Sequence, residues 1–164
     1  NLEATPAEST AYRLARKDRS NYSDDIYSKV GDNEEPYYTN SCHLPVDKVE
    51  SLTQLFDHQE QLQNKFTGGT VVHTYLGSPI SGEKAKRIVK TVCENYEVPY
   101  MSLSPLFSAC PNHGQMLTDE DNCPKPDCDK EIESYQRVTG YIRPVSRFNA
   151  GKMAEFFDRQ QLEV

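Results

Sequence analysis

The sequence predicts an α/β fold, and two observations carry this prediction. The run TGGTVVHTYLG, introduced by Gly68 and Gly69, and the run YMSLSPLF near residue 100 each predict a strand. Between them, SGEKAKRIVKTVCENY places apolar residues at helical spacing, with Ser81 at the position of an N-cap. A strand, a helix and a strand in close succession are typical of a βαβ unit, which has parallel strands and a right-handed crossover. One such unit cannot bury both faces of its sheet, so we expect further strands to come from elsewhere.

The elements before this unit follow from local signals. Residues 5–19 predict a helix, because Thr5 can cap it, Pro6 suits the first helical position and Glu8 completes a T-x-x-E capping box. The polar residues around 24–33 predict a loop, which PYYTNSCHLPV follows as a short extended run. From about residue 47 to residue 65, apolar side chains recur at helical spacing and predict an amphipathic helix.

Size and composition restrict the classes of protein. A chain of 164 residues is about one domain, and 36% hydrophobic residues without a single Trp is low for a self-contained globule, so we expect a piece of something larger. The sequence shows neither a membrane-length apolar run nor a signal peptide, which favours a cytoplasmic protein without a membrane partner. A net charge of -7 argues against a nucleic-acid partner, because binding to the phosphate backbone depends on clustered Lys and Arg.

The segment CPNHGQMLTDEDNCPKPDC contains four candidate metal ligands. Two residues separate Cys110 from His113, and four separate Cys123 from Cys128. Zinc takes four ligands of this kind in a tetrahedron, so two facing knuckles predict a structural zinc site with closed coordination. C-x4-C with two prolines is looser than the usual C-x2-C, which makes Cys128 the weakest candidate. The alternative is free thiols and a surface histidine without a metal.

The segment YQRVTGYIRPVSRFNAGKMAEFF surrounds one glycine, Gly140, with rigid and charged side chains. Glycine suits a tight loop tip because it reaches backbone angles that other residues avoid, and an ordinary turn is one interpretation. Tyr141, Arg143 and Pro144 are expected to hold the loop, Pro144 by fixing φ and Arg143 by carboxylate or carbonyl contacts.

Several single residues receive simpler interpretations. Cys93 lies on the apolar stripe of its predicted helix and is expected in the core. The three histidines His43, His58 and His73 have no ligand spacing and are expected at the surface or in hydrogen bonds. The charged side chains Lys152 and Glu155 are expected to lie in solvent on a terminal helix.

The ordered set of motifs resembles the C-terminal portion of the anaerobic, class III ribonucleoside-triphosphate reductases, which are glycyl-radical enzymes. RVTGY followed by IRPVSRFNAGKMAEF is similar to their radical loop. NLEATPAES, EPYYTNS, LPV, TGGTVVH, ENYEVPY and the Cys/His knuckles follow in the family's order, so the resemblance covers essentially the whole chain. Other glycyl-radical enzymes share RVxGY, whereas the ordered set is specific.

The resemblance implies an architecture: the C-terminal part of a ten-stranded α/β glycyl-radical barrel, with a small zinc-binding subdomain and a C-terminal radical loop. Residues 1–107 would form the partial barrel with a phosphate-binding helix and the βαβ unit. Residues 108–130 would form the zinc-binding subdomain, and residues 131–164 the radical loop and C-terminal helix.

The resemblance also implies an activity, the reduction of ribonucleoside triphosphates to deoxyribonucleoside triphosphates. In the family, an activating enzyme with an iron–sulfur cluster and S-adenosylmethionine removes a hydrogen atom from a loop glycine, which corresponds here to Gly140. The radical passes to a cysteine thiol, and the thiyl radical abstracts the ribose 3′ hydrogen so that the 2′ hydroxyl can leave. This chemistry must be shielded from water and oxygen, so the loop is expected inside the barrel.

Two further sites are implied by the resemblance. TPAES would bind the substrate triphosphate, with Thr5, Ala7, Glu8, Ser9 and Thr10 supplying the start of the helix, its backbone N–H groups and hydroxyls. From the residues alone the stretch is only a capped helix, and Glu8 would repel phosphate unless its side chain turns back to the cap.

Cys42, in TNSCHLPV, resembles a residue on a strand that lines the family's active site. It could be half of a reducing cysteine pair regenerated by a redoxin, whereas other members of the family oxidise formate. The alternative is a buried structural thiol, because cysteine is among the most frequently buried residue types.

The thiyl-forming cysteine and the nucleotide-sensing region lie upstream in the family. We therefore expect this chain to need the upstream portion of the reductase, to be inactive alone, and to form a homodimer when complete. Two alternatives stay open. One is a stand-alone glycyl-radical carrier, and the other is a zinc-dependent interaction module in which Gly140 is an ordinary turn.

Overall fold

The computed structural model of the protein describes residues 2–3, 7–22, 35–116 and 120–162. The described residues form helices mainly in the first half and strands mainly in the second half. In chain order they are α1 (Glu8–Asn21), α2 (Leu52–Gln63), β1 (Val72–Leu76), α3 (Gly82–Asn95), β2 (Met101–Pro105), β3 (Phe107–Cys110), β4 (Gly114–Met116), β5 (Glu133–Arg137), β6 (Ile142–Pro144), one 3₁₀ turn (Val145–Arg147) and α4 (Ala150–Asp158).

The predicted βαβ unit is confirmed. Strands β1 and β2 pair in parallel, with Val72 beside Met101, and α3 forms the crossover between them. The Ser81 hydroxyl caps α3 by accepting a hydrogen bond from the Lys84 N–H at 3.2 Å. Apolar residues of α2, β1 and α3 form one buried cluster, which consists of Leu55, Phe56, Val72 and Val92.

A second, antiparallel sheet follows, with the strand order β4-β3-β5-β6. Only Leu106 separates β2 from β3, so the predicted strand YMSLSPLF is divided between two sheets. Strands β5 and β6 form a hairpin in which Tyr135 pairs with Pro144 and Arg137 with Ile142. The sheet joins strands from both sides of the predicted boundary at residue 130, because β3 pairs with β5.

The first helix begins later than predicted. Its first residue is Glu8, and Ala7 occupies the N-cap position without a side-chain capping bond. Thr5 and Pro6 lie outside the described residues, as does the predicted loop at 24–33. The predicted capping-box contact between Glu8 and Thr5 therefore stays a prediction. In the described residues, the Glu8 carboxylate accepts hydrogen bonds from two distant side chains, Tyr141 and Asn149.

Three further expectations are corrected. Cys93 is exposed, because α3 buries one narrow stripe at Val92 and Cys93 lies about 100° further round the helix. Cys42 lies in a turn rather than on a strand, directly after Ser41 with its left-handed φ of 48°. Lys152 and Glu155 are buried, since α4 turns this charged face inward. In the part of the chain that the structure describes, every helix is too short or too polar to cross a membrane.

Candidate functional site

Gly140 lies at the tip of the β5–β6 hairpin. The loop is closed by the Val138 N–H, which donates to the Tyr141 carbonyl at 2.9 Å. Gly140 is exposed and, contrary to the expectation from its place in a tight turn, its φ is outside the left-handed region. A Cβ atom built on Gly140 would meet no atom within 4 Å. Among the described residues, neither backbone geometry nor space requires glycine here.

Gly140 opens onto a cavity of about 230 Å³. Thr139 and Gly140 form one part of its wall, and the opposite parts come from β1 and from the segments before it. The other lining residues are Glu3, Asn40, Ser41, His43, Gly69, Thr70, Val71, His73 and Tyr100. Cys42 is half-buried between two of them, with its carbonyl accepting from the Gln59 amide at 3.4 Å. The structure therefore brings the segment that carries Cys42 to the cavity faced by Gly140.

Two histidines of this wall have depressed pKa values. Burial, together with the positive charge of the neighbouring His43 and Arg137, lowers the pKa of His73 to about 3. Burial also lowers the pKa of His43. His43 Nε2 lies 2.7 Å from the Val71 carbonyl, and His73 Nδ1 lies 2.8 Å from the Ser102 hydroxyl. The prediction of hydrogen-bonded histidines is confirmed for both, and both are neutral at pH 7.

An ion cluster under the hairpin anchors the strand that leads to Gly140. The Arg159 guanidinium donates to the carbonyl of Arg137 at 2.9 Å and to that of Val138 at 3.4 Å. It also donates to Glu155 at 2.7 Å and stacks on the Tyr75 ring, with Cζ 3.8 Å from the centroid. Arg159 thus ties α4 and β1 to the last residues before the loop. Sequence reasoning did not identify Arg159, because no local pattern marks which charges are buried.

Glu155 is the acid of this cluster and is only 1% exposed. It accepts hydrogen bonds from Lys152 and from Arg159. Burial by itself raises the pKa of Glu155, but the two cations outweigh burial and hold the pKa below its ordinary value. Glu155 is therefore ionised, and its single negative charge pairs with two buried cations, Lys152 and Arg159.

The four candidate metal ligands converge. One ligand atom from each of Cys110, His113, Cys123 and Cys128 lies within 4.8 Å of the others. Cys110 Sγ is 3.8 Å from Cys128 Sγ and 3.6 Å from His113 Nδ1, and Cys123 Sγ is 3.4 Å from His113 Nδ1. Zn–S bonds of about 2.3 Å place two sulfurs about 3.8 Å apart across a tetrahedron, and a sulfur and a nitrogen about 3.6 Å apart. The four residues could hold a zinc ion, and Cys128 fits as well as the others.

The electrostatics of the cluster agree with a cation. Burial raises the pKa of the Cys110 thiol, but hydrogen bonds from the Asn112 backbone and from His113 outweigh burial and lower the pKa to about 6. Burial raises the pKa of Cys123, and the adjacent Cys110 and Cys128 thiols contribute to the increase. Several sulfurs that compete for negative charge in one place are stabilised by a bound metal ion.

The N-terminus of α1 lies beside the hairpin. Tyr141 donates its phenol hydrogen to Glu8 Oε2 at 2.7 Å, and Asn149 Nδ2 donates to Glu8 Oε1 at 3.2 Å. Among the described residues, Arg143 donates to the Tyr141 hydroxyl at 3.5 Å, whereas the sequence predicted a carboxylate or carbonyl partner. Sequence reasoning missed the role of Glu8 as a partner of the loop.

Fold and site together define an α/β protein in which a hairpin glycine faces a cavity and a Cys/His cluster can hold a metal ion. The family model described as anaerobic ribonucleoside-triphosphate reductase matches residues 1–162. The protein belongs to this family.

Solved structures of this kind match the chain over most of its length. One is an anaerobic ribonucleotide reductase with a TM-score of 0.73 and 23% identity, covering 100% of this chain and 25% of that one. The enzyme from Thermotoga maritima in complex with dATP and CTP gives a TM-score of 0.66 and 25% identity, covering 94% and 24%. The same enzyme with MES in its active site gives a TM-score of 0.66 and 25% identity, covering 91% of this chain and 23% of that one. The comparison with curated proteins gave no match. The chain thus spans about a quarter of the length of the structures that it matches.

Proposed function

We propose that this chain is the C-terminal part of an anaerobic ribonucleotide reductase and that Gly140 stores its glycyl radical. The observation that carries the proposal is the freedom of Gly140. It lies at a cavity wall where a side chain would fit and where φ is ordinary. Glycine at such a position calls for a chemical reason, and the family supplies one.

The chemistry at Gly140 is as follows. The activating enzyme, which carries an iron–sulfur cluster and uses S-adenosylmethionine, removes one hydrogen atom from the α-carbon. The amide nitrogen donates electron density and the carbonyl withdraws it, and a side chain would crowd the planar arrangement that both effects need. A cysteine thiol on the upstream portion then returns a hydrogen atom to Gly140, and its thiyl radical takes the ribose 3′ hydrogen of a ribonucleoside triphosphate. The two histidines in the cavity wall, His43 and His73, are neutral.

The surrounding parts are proposed on the same family grounds. The chain contributes strands to a ten-stranded barrel that encloses the loop, within a cytoplasmic homodimer. Thr5 and the start of α1, with Ala7, Glu8, Ser9 and Thr10, bind the substrate phosphates. Cys42 takes part in reduction if the reductant is a redoxin rather than formate. Without the upstream portion the chain is inactive.

Cys110, His113, Cys123 and Cys128 are proposed to bind a structural zinc ion. Four protein ligands close the tetrahedron, so the metal would stabilise the β3–β4 region rather than activate a substrate. Metal analysis of purified protein should find about one zinc per chain and a large loss in Cys123→Ser. Cys93→Ser is a matched control, because Cys93 is exposed and outside the cluster. Equal zinc in both variants would contradict the assignment.

The test of the radical proposal is anaerobic electron paramagnetic resonance on the complete reductase with activating enzyme and S-adenosylmethionine. We expect a doublet from the remaining α-hydrogen, followed on exposure to air by backbone cleavage that intact mass places at Gly140. Gly140→Ala should give neither. A folded, zinc-loaded wild type without a doublet would contradict the proposal and favour a zinc-dependent interaction module. A doublet together with rescue of a partner whose own radical site is damaged would favour a stand-alone radical carrier.

A further inference from the structure

Glu8 belongs to the segment proposed to bind substrate phosphates, yet its carboxylate points elsewhere. Both of its oxygens are engaged, Oε2 by the Tyr141 hydroxyl at 2.7 Å and Oε1 by Asn149 Nδ2 at 3.2 Å. These partners are 133 and 141 residues away in sequence. A carboxylate at a phosphate site would repel its ligand, and these contacts turn the charge of Glu8 toward the hairpin instead.

One partner of Glu8 lies in the hairpin that carries Gly140, and the other follows this hairpin in the chain. Tyr141 directly follows Gly140, and its carbonyl closes the loop by accepting from the Val138 N–H. Asn149 is the N-cap of α4, where its Oδ1 accepts from the Lys152 N–H at 2.8 Å. With Oδ1 committed to the cap, Nδ2 is free to donate to Glu8. One carboxylate thus connects the start of α1 to the residue after Gly140 and to the start of α4.

We propose that Glu8 is a positioning residue for the Gly140 loop and acts through Tyr141. Tyr141 is 47% exposed, so packing alone does not fix its ring, and the hydrogen bond to Glu8 supplies the missing restraint. Hydrogen bonds to an ionised acceptor are the stronger kind. Gly140 is already exposed in this chain, so in the complete reductase a loop without the restraint would leave its covered position more often. The inference rests on the proposed radical function for its consequence, whereas the restraint itself can be measured without a radical.

The chain offers a matched control at the other end of α1. Tyr38 donates its hydroxyl hydrogen to Asp18, which is again a phenol bound to an α1 carboxylate. Tyr38→Phe therefore makes the same chemical change as Tyr141→Phe, but away from the hairpin. Both changes keep the aromatic ring, and Glu8→Ala adds a variant that also frees Asn149.

The experiment uses the complete reductase. In the unactivated protein, hydrogen exchange of the Val138 amide should be about fivefold faster in Tyr141→Phe and Glu8→Ala, as expected for one lost charge-assisted hydrogen bond at a partly exposed site, and unchanged in Tyr38→Phe. After activation, the doublet should still form in all variants. In air the doublet should decay faster by a similar factor in Tyr141→Phe and Glu8→Ala, and at the wild-type rate in Tyr38→Phe. A residue that only stabilised the fold would not change the lifetime of the doublet.

Unchanged Val138 exchange in Tyr141→Phe and Glu8→Ala, or an unchanged doublet lifetime, would overturn the positioning role. A wild type that gives no doublet would instead end the proposed radical function. The exchange measurement then still decides whether Glu8 restrains the loop.

Discussion

Gly140 and Gly151 lie eleven positions apart and differ in what surrounds them. A Cβ atom on Gly140 would meet nothing within 4 Å. On Gly151 it would lie 2.4 Å from Tyr12 Cδ2 and 3.0 Å from the Pro36 carbonyl oxygen, where α4 packs against α1. The glycine of α4 is therefore required by packing, and the glycine of the hairpin is not. A glycine that structure does not require is the better candidate for a chemical role.

The largest predicted effect is that of Gly140→Ala on the radical, because only Gly140 is proposed to have a chemical role. Gly140→Ala should abolish the radical doublet and the air-dependent cleavage completely and leave the unfolding midpoint of the protein nearly unchanged, because the methyl group has room and the backbone φ is ordinary. Spectroscopy and thermal unfolding on the same preparation measure both. A strongly destabilised Gly140→Ala would show that packing by other parts of the reductase also requires this glycine.

The second prediction concerns the ion cluster that joins the helix of Gly151 to the strand before Gly140. Glu155→Gln removes the anion between Lys152 and Arg159, all three being buried. Breaking a buried pair leaves uncompensated charge and should cost about 3–5 kcal/mol of unfolding free energy. Denaturant unfolding measures this cost.

Glu94→Gln is the control for Glu155→Gln. Glu94 forms an i,i+4 pair with Lys90 at 3.7 Å, and both side chains are largely exposed. Exposed pairs contribute about 0–1 kcal/mol, so this variant should be nearly neutral. Similar costs for the two variants would contradict the description of Glu155 as the centre of a buried network.

Gly151→Ala should destabilise the protein by about 2–3 kcal/mol, as overpacked substitutions do, without removing the doublet. Tyr12 supplies the closest contact, so the cost should be smaller in a Tyr12→Ala background. A double-mutant cycle by denaturant unfolding measures this coupling. An additive cycle would mean that the Pro36 carbonyl, rather than the Tyr12 ring, excludes the methyl group.

The sequence was sufficient where structure is local. Helical spacing and the position of Ser81 predicted α3, and the succession of strand, helix and strand predicted the parallel pairing of β1 with β2. The spacing of the two knuckles predicted the Cys/His cluster. The antiparallel sheet was not predicted, because its strands have three to five residues and are paired by contacts between distant segments.

The positions of charged side chains were also not predicted from the sequence. A charge pattern does not reveal which face of a helix is buried, so Lys152 and Glu155 were expected in solvent and Arg159 was not considered. Glu8 fitted a capping box three residues from Thr5, and only the tertiary structure shows its carboxylate paired with Tyr141. Local patterns identify candidate partners, whereas long-range contacts decide between them.

The smallest predicted effect is the pH dependence of stability caused by His73, which lines the same cavity as Gly140. His73 has a folded pKa of about 3, below the ordinary value near 6.5, so the unfolded chain binds the additional proton. The contribution of His73 to stability is complete above about pH 6.5 and declines as the pH falls toward 3. Between pH 7 and pH 5 the loss of unfolding free energy should be about 1–2 kcal/mol, since each pKa unit corresponds to about 1.4 kcal/mol.

Denaturant unfolding at several pH values measures this loss. In His73→Asn the unfolding free energy should change less between pH 7 and pH 5 than in the wild type, although His43 retains part of the pH dependence. If the unfolding free energy of the variant changes with pH as much as that of the wild type, the acid sensitivity originates from other groups. The histidines in the cavity wall at Gly140 would then not contribute to the pH dependence of stability.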